Sequence, residues 1–404
     1  MKPKRLISRV VLIISFVSLF NDIASEMLYP IMPVFLKSIG FSIALIGILE
    51  GVAEATAGLS KGYFGNLSDR MGRRLPFIQF GYVLSAISKP LMALFVSPIW
   101  IFFVRTTDRL AKGIRTSARD AILSDEATPE TKGKVFGFHR ALDTVGACIG
   151  PVLALIYLWL WPGEYKLLFV IAFVPGIIAV GLTLFIKEKR HDFKPAESKG
   201  FFGYLGYWKR APREYKLLVA GLLFFALMNS SDAFLLLALK AVGYSDVHMI
   251  GFYIFYNLAF AILAFPAGVI ADRIGLRSMV VIGLVIFSVV YSLMGFVHGL
   301  VGFGILFLFY GFYAASTEGI SKAWITNVAQ KDEIATAIGF YSSMLSIATL
   351  VSSSMAGLIW AVFGMKAMFM VSGIGALISA VYLMGIPLKK LNMRITASSS
   401  DAIS

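Results

Sequence analysis

An all-α membrane protein of twelve spans in two pseudo-symmetric halves is the fold class this chain predicts, on three observations. The first is composition: the 404 residues are 58% hydrophobic and 15% charged, with mean hydropathy +0.79, too apolar for a soluble globular surface. The second is spacing. Apolar stretches of about 20 residues, enough to cross a ~30 Å hydrocarbon core, recur about a dozen times with short loops between them. The third is repetition: the charged loop Gly65-Asn66-Leu67-Ser68-Asp69-Arg70-Met71-Gly72-Arg73-Arg74 returns at Gly268 to Arg277, with Gly268, Asp272, Arg273 and Gly275 at the same offsets.

The repeat extends beyond the loop. Gly40 precedes Gly65 by 25 residues and Gly243 precedes Gly268 by 25, so the two copies stand 203 apart, half the chain. Gly137-Phe138 matches Gly339-Phe340 at an offset of 202, and Lys37 matches Lys240. A large apolar chain of two parallel sequence halves has the hydropathy symmetry of a secondary transporter built from two bundles. The repeated loop resembles the hallmark loop of the major facilitator superfamily, found between helices 2 and 3 and again between 8 and 9, and the resemblance covers the whole chain. It implies an N-terminal six-helix bundle over 1–187, a cytoplasmic linker over 188–214, and a second bundle with a cytoplasmic tail over 215–404.

The spans are expected near 10–36, 43–64, 75–96, 98–120, 135–160, 166–186, 216–239, 247–267, 278–297, 300–326, 334–362 and 366–387. The first is too long for a signal-peptide core and has no small-residue cleavage site, so it is expected to remain a helix. Cys148 is the sole cysteine, which excludes a disulfide framework. The net charge of +14 sits on alternate loops rather than on one patch: Lys2, Lys4, Arg5 and Arg9, then Arg70, Arg73 and Arg74, then Lys132 and Lys134, the middle loop, and finally Lys389, Lys390 and Arg394. That distribution argues against a nucleic-acid partner. By the positive-inside rule it places both termini in the cytoplasm, with the bilayer of the inner membrane as the surrounding medium.

Buried charge marks the candidate site. Asp22 stands about 12 residues into the first span, roughly 18 Å along it and close to mid-membrane, with Glu26 one turn on. Ionisable groups at such depth are costly and are functional candidates by default; a structural ion pair with an arginine of span 4 is the alternative. Pro30 and Pro33 are expected to bend this helix. Span 2 carries Glu50 and the deeper Glu54 beside small residues that permit close helix approach. Span 4 is the most polar: Arg105, Asp108, Arg109, Lys112, Arg115, Arg119 and Asp120 fall within roughly 140° of arc, a stripe that must line a wet cavity or pair with spans 1, 2 and 5. Arg140 and Asp143 follow in span 5, Asn229 and Asp232 in span 7, and Tyr253, Tyr256 and Asn257 in span 8, with Phe255 beside them. Glu318 and Lys322 in span 10 have the spacing and order of a self-contained helical pair.

Spans 6, 9 and 12 hold essentially no ionisable residue and span 3 only Lys89, which matches the family's arrangement of every third helix outside the cavity. Further roles follow from the resemblance. Asp69 would cap helix 11 when the carrier faces outward, and an arginine at the position of Arg73 would pair with an acid at the end of helix 4, either Asp120 or Asp125. Gly65, Arg70 and Gly72, with Gly268, Asp272, Arg273 and Gly275, would complete the gate. Arg109-x-x-Lys112-Gly113 is similar to the family's helix 4 motif, whose arginine lies near the helix 1 carboxylate in related antiporters. Gly146-x-x-x-Gly150-Pro151 is similar to the start of its antiporter motif, although the closing glycine pair is here Ala154-Leu155.

These features predict a monomeric, proton-coupled carrier of a small anionic, zwitterionic or amphiphilic solute. Asp22, Glu26, Glu54 and Arg109 would couple protons, and Arg105, Asp108, Lys112, Arg140, Asp143, Asn229, Asp232, Tyr253, Tyr256 and Asn257 would hold the substrate. Efflux by antiport is the leading expectation. A symporter importing an organic anion or siderophore, a lipid flippase and a non-transporting sensor remain open. No nucleophile with a histidine partner, metal-ligand spacing or phosphate loop is present, so no enzyme, metal or cofactor is expected; the four histidines, His139, His191, His248 and His298, are scattered.

Overall fold

The computed structural model describes residues 7–29, 31–32, 35–36, 39–40, 43–95, 97–161, 164–188, 200–230, 232–244 and 246–386. Pro30, Pro33, Lys37, His191, the basic residues of both chain ends up to residue 6 and beyond 386, and the side chains of Glu50 and Lys240 lie outside what is described.

The first half contributes α1 (Arg9–Glu26), α2 (Ile43–Met71), α3 (Leu75–Leu94), α4 (Pro98–Asp125), α5 (Lys132–Leu160) and α6 (Tyr165–Thr183). The Ser8 hydroxyl starts α1 by accepting from the Val11 amide at 3.2 Å, and prolines at the first turns of α3 and α4 occupy positions where no amide is missed. The second half contributes α7 (Arg213–Met228), which breaks at Asn229 and resumes as Ala233–Ala241, then α8 (Asp246–Ile274), α9 (Leu276–Met294) and α10 (Leu300–Val328). The last helical stretch, Ile334–Gly385, divides at Gly364 (φ 85°) into α11 (334–363) and α12 (365–385).

Among the described residues, seven helical segments are long and apolar enough to span a membrane by length and composition. Those that fall short are α1, α2 and α4, which carry the charges, and α7, which is interrupted.

Within the first bundle α1 packs on α5 and α6, and α4 on α2 and α3; in the second, α10 packs on α8 and α9, and α7 on the α11–α12 stretch. The bundles meet through α5 against α8 and α2 against α11, a pairing that exchanges under the 203-residue repeat. Glycine makes both crossings possible. A side chain at Gly268 would collide with the Gly133 carbonyl, and one at Gly339 with the Lys61 carbonyl. The repeat also shows in backbone geometry: Gly40 and its counterpart Gly243 have φ of 95° and 98°, and the turn glycines Gly72 and Gly275 have 61° and 94°.

Candidate functional site

A cavity of about 370 Å³ lies at the seam of the two bundles. From the first bundle, α1 supplies Asn21, Asp22, Ser25 and Glu26, α2 supplies Lys61, α4 presents Arg109, Lys112 and Arg119, and α5 presents Arg140 and Asp143. The second bundle faces them with Asp232, with Tyr253, Tyr256 and Asn257 of α8, and with Glu318 and Lys322 of α10. The charges are interlocked. Arg140 pairs with Asp143 at 2.6 Å and also with Glu318; Lys322 meets Asp120 at 2.6 Å; Arg119 meets Asp120 at 3.0 Å and Asp143 at 3.9 Å; Arg109 meets Glu54 at 3.3 Å. The Asp22 carboxylate accepts from Asn21 at 3.2 Å, and Asp232 accepts from the Tyr310 hydroxyl at 2.6 Å.

Several sequence expectations are corrected by this geometry. Glu318 and Lys322 do not pair with each other: each reaches across the seam, to Arg140 and to Asp120. Arg105, expected to hold substrate, is buried with its guanidinium 3.9 Å from Asp108, while Asp108, which borders the cavity as expected, is also held by Ser85 at 2.7 Å and Lys89 at 3.6 Å on α3. One edge of the α4 stripe therefore cements α3, which a stripe spanning so wide an arc allows. Asn229 lies in a neighbouring cavity, and Phe255 faces outward, 40% exposed. Lys61 and Tyr310 belong to the polar interior although sequence reasoning passed over them; Lys61 carried a signal as a lysine within span 2, whereas a tyrosine in an aromatic-rich helix carried none.

The residues expected to form a gate lie on the terminal face, where α1 begins and α12 ends. Asp69 accepts from the Thr336 amide at 2.7 Å and hydroxyl at 3.0 Å, which caps α11 at its unpaired N-terminal amides as the resemblance implied. Asp272 repeats the contact, accepting from the Gly133 and Lys134 amides at 2.8 Å each, at the start of α5. The arginine that supports Asp69 is Arg74, not Arg73: Arg74 is buried, 3.1 Å from Asp69, and pairs with Asp125, whereas Arg73 is exposed. Asp125 is thus the acid at the end of α4, and Asp120 serves the cross-bundle pair instead. In the second copy Arg273 is exposed, and Arg277, 203 residues after Arg74, holds the Ile386 carbonyl at 2.9 Å. That match was the usable signal, since Arg73 corresponds to Leu276. Arg70 is half-buried at the end of α2.

A linker segment straps the closed gate. Phe201 stacks on Tyr63 of α2 (5.0 Å between centroids), Trp208 stacks on Phe340 of α11 (5.6 Å), and Arg210 pairs with Glu333 at 2.6 Å. Burial pushes the Tyr207 phenol above its ordinary range, so it remains a neutral packing group between them.

Two six-helix bundles that enclose a charged chamber at their seam, closed on one face by reciprocal helix caps, define a membrane transporter. The sequence profile of the Major Facilitator Superfamily matches residues 14–255 and 244–398, and the chain belongs to that family. It is 32% identical over 388 residues to the uncharacterized MFS-type transporter MJ1317 of Methanocaldococcus jannaschii, covering 94% of this chain and 95% of that one. Among solved structures it is similar to the human organic anion transporter MFSD10, with TM-score 0.78 and 18% identity over 93% of this chain and 99% of that one. It is also similar to the fucose:proton symporter FucP of E. coli, with TM-score 0.74 and 13% identity over 93% and 97%.

Proposed function

We propose that this transporter carries a small organic anion or zwitterion across the cytoplasmic membrane by alternating access, as a monomer, with proton movement as the driving force. The observation that carries this reading is the seam chamber, where Asp22, Glu26 and Asp143 stand among Arg109, Lys112, Arg119 and Arg140. A carboxyl is sensitive both to its access to water and to nearby guanidinium groups; rocking of the bundles alters both, which links protonation to conformation. Substrate carboxylate or phosphate would be recognised by the basic groups of the first bundle, chiefly Arg140 and Lys112. That the structural neighbour MFSD10 is named an organic anion transporter supports the same class.

In this reading the terminal face is cytoplasmic, and the closed gate of Asp69 and Asp272 corresponds to the outward-facing state. Opening it separates Glu318 from Arg140 and Lys322 from Asp120. The separated groups need not remain alone: Arg140 keeps Asp143, Asp120 keeps Arg119, and Glu318 and Lys322, four residues apart on α10, can close on each other. Exchange of partners keeps the chamber's charges compensated in both states, which lowers the cost of moving between them.

The Gly146-x-x-x-Gly150-Pro151 segment bears on direction: α5 approaches α1 there closely enough that a side chain at Gly146 would collide with the Leu19 carbonyl at 2.5 Å. Its similarity to the antiporter motif favours export in exchange for protons. A proton symporter is the second reading, favoured by the likeness to FucP. Asp22→Asn is expected to retain ligand binding and lose uphill transport in proteoliposomes; accumulation at the wild-type level would remove Asp22 from the coupling. Proton release from purified protein on addition of a bound organic anion supports exchange, and proton uptake supports symport.

A further inference from the structure

A second cavity, of about 440 Å³, opens inside the second bundle and shares Asp232, Glu318 and Lys322 with the seam chamber. Its character is different. Leu222, Phe225, Leu284, Tyr313 and Leu345 make its walls predominantly apolar, with the Phe225 and Tyr313 rings meeting edge-to-face, 5.9 Å between centroids. It borders the interruption of α7: Asn229 leaves helical geometry (φ −84°, ψ 111°), its carbonyl is taken up by Ser352 at 2.7 Å, and the helix resumes only at Ala233. Interrupted helices at mid-membrane are tolerated where they line a cavity and are where carriers build binding sites. Asn229 adds an independent sign of a ligand. Its amide nitrogen donates to the Tyr313 hydroxyl at 3.3 Å, but its Oδ1 is buried with no partner, an arrangement that is costly unless a donor arrives.

Resting on the anion-carrier reading above, we infer that this cavity is the subsite for the body of the substrate: a flat aromatic ring bearing one hydrogen-bond donor, attached to the anionic group that Arg140 and Lys112 hold in the seam chamber. The shared residues Glu318 and Lys322 mark the junction, so one molecule extends from the charged chamber into the apolar one. The donor meets Asn229 Oδ1, and the ring packs against the wall that Phe225 and Tyr313 form together. Volume agrees with this assignment, because each chamber by itself lies within the ~300–1,000 Å³ range of small-molecule sites.

The test compares benzoate with 4′-hydroxybiphenyl-4-carboxylate as probes of the full-length protein, by thermal shift and by calorimetric titration. In the wild type the longer anion is expected to bind at least about tenfold tighter, from burial of its second ring and pairing of its hydroxyl. Ala226→Trp or Leu345→Trp, each filling the cavity from a different helix, is expected to bring the longer probe to within about twofold of benzoate while leaving benzoate unchanged. Asn229→Ala is expected to erase the preference for the hydroxylated probe over unsubstituted biphenyl-4-carboxylate. Equal binding of the two anions to the wild type overturns the subsite alone, as does a preference that survives both tryptophans. Loss of benzoate binding in both tryptophan variants overturns the separation into two chambers. Binding of neither anion to the wild type overturns the subsite; the anion-carrier reading falls separately, if no organic anion added to the protein binds or moves protons.

Discussion

Arg74 and Arg73 are adjacent, chemically identical and opposite in consequence. Arg74 is 1% exposed between Asp69 and Asp125, whereas Arg73 points to solvent. Removing Arg74 strands the buried Asp69 carboxylate, and breaking one side of a buried pair typically costs about 3–5 kcal/mol. Removing Arg73 should change stability by no more than about 0.5 kcal/mol. We predict that Arg74→Ala lowers the thermal unfolding midpoint strongly and Arg73→Ala leaves it in place; equal shifts would show that the two arginines share the role. At this scale the site was partly legible. Asp22, Glu26, Arg109, Lys112, Arg140 and Asp143 were readable because charge at mid-membrane has few structural excuses. Pairing was not, since helical spacing suggested a Glu318–Lys322 contact while partners two hundred residues away competed for both groups.

Helix contacts across the seam depend on the absence of side chains. At Gly339 a methyl group would meet the Lys61 carbonyl and sit 3.0 Å from the Gly62 Cα, both backbone, so relief requires α2 and α11 to part. Gly339→Ala is therefore predicted to destabilise the closed terminal face by about 1–3 kcal/mol. Spin labels at Thr128 and Gln330 should report a longer distance population. Gly181→Ala in α6, where nothing lies within 4 Å, serves as the control and should be neutral or slightly stabilising; the same lengthening in both variants would contradict the steric account. The helices themselves were legible from hydropathy, with ends near those expected for α3, α4, α10 and α11. The break in α7 was not read, although Asn229-Ser230-Ser231-Asp232 is a run of turn-forming residues within an apolar stretch; whether such a run breaks a helix depends on tertiary bonds, here from Ser352 and Tyr291.

For the molecule as a whole, the cross-seam ion pairs should behave as a coupled set. Lys322→Gln alone leaves Asp120 with Arg119, and Asp120→Asn alone leaves Lys322 facing a neutral amide. A double-mutant cycle of these two substitutions is predicted to give a coupling energy of about 0.5–3 kcal/mol in thermal stability. Additivity would mean that the contact contributes nothing to holding the halves together. The twofold plan was the most legible feature of all, since one loop repeated at 203 residues announced it. Its state was not, because a hydropathy pattern is the same whichever face is closed.

The two caps are reciprocal: the aspartate of each half closes on bare amides belonging to the other, Asp69 on α11 and Asp272 on α5. Arg74 supports Asp69 from within its own half, but the capping amides come from the other half in both cases. A single half, detached from its partner, would display both a lock and a matching keyhole, and two copies of it would complete one another about a shared axis. In its wiring the chain is a tethered homodimer, with residues 200–211 as part of the tether.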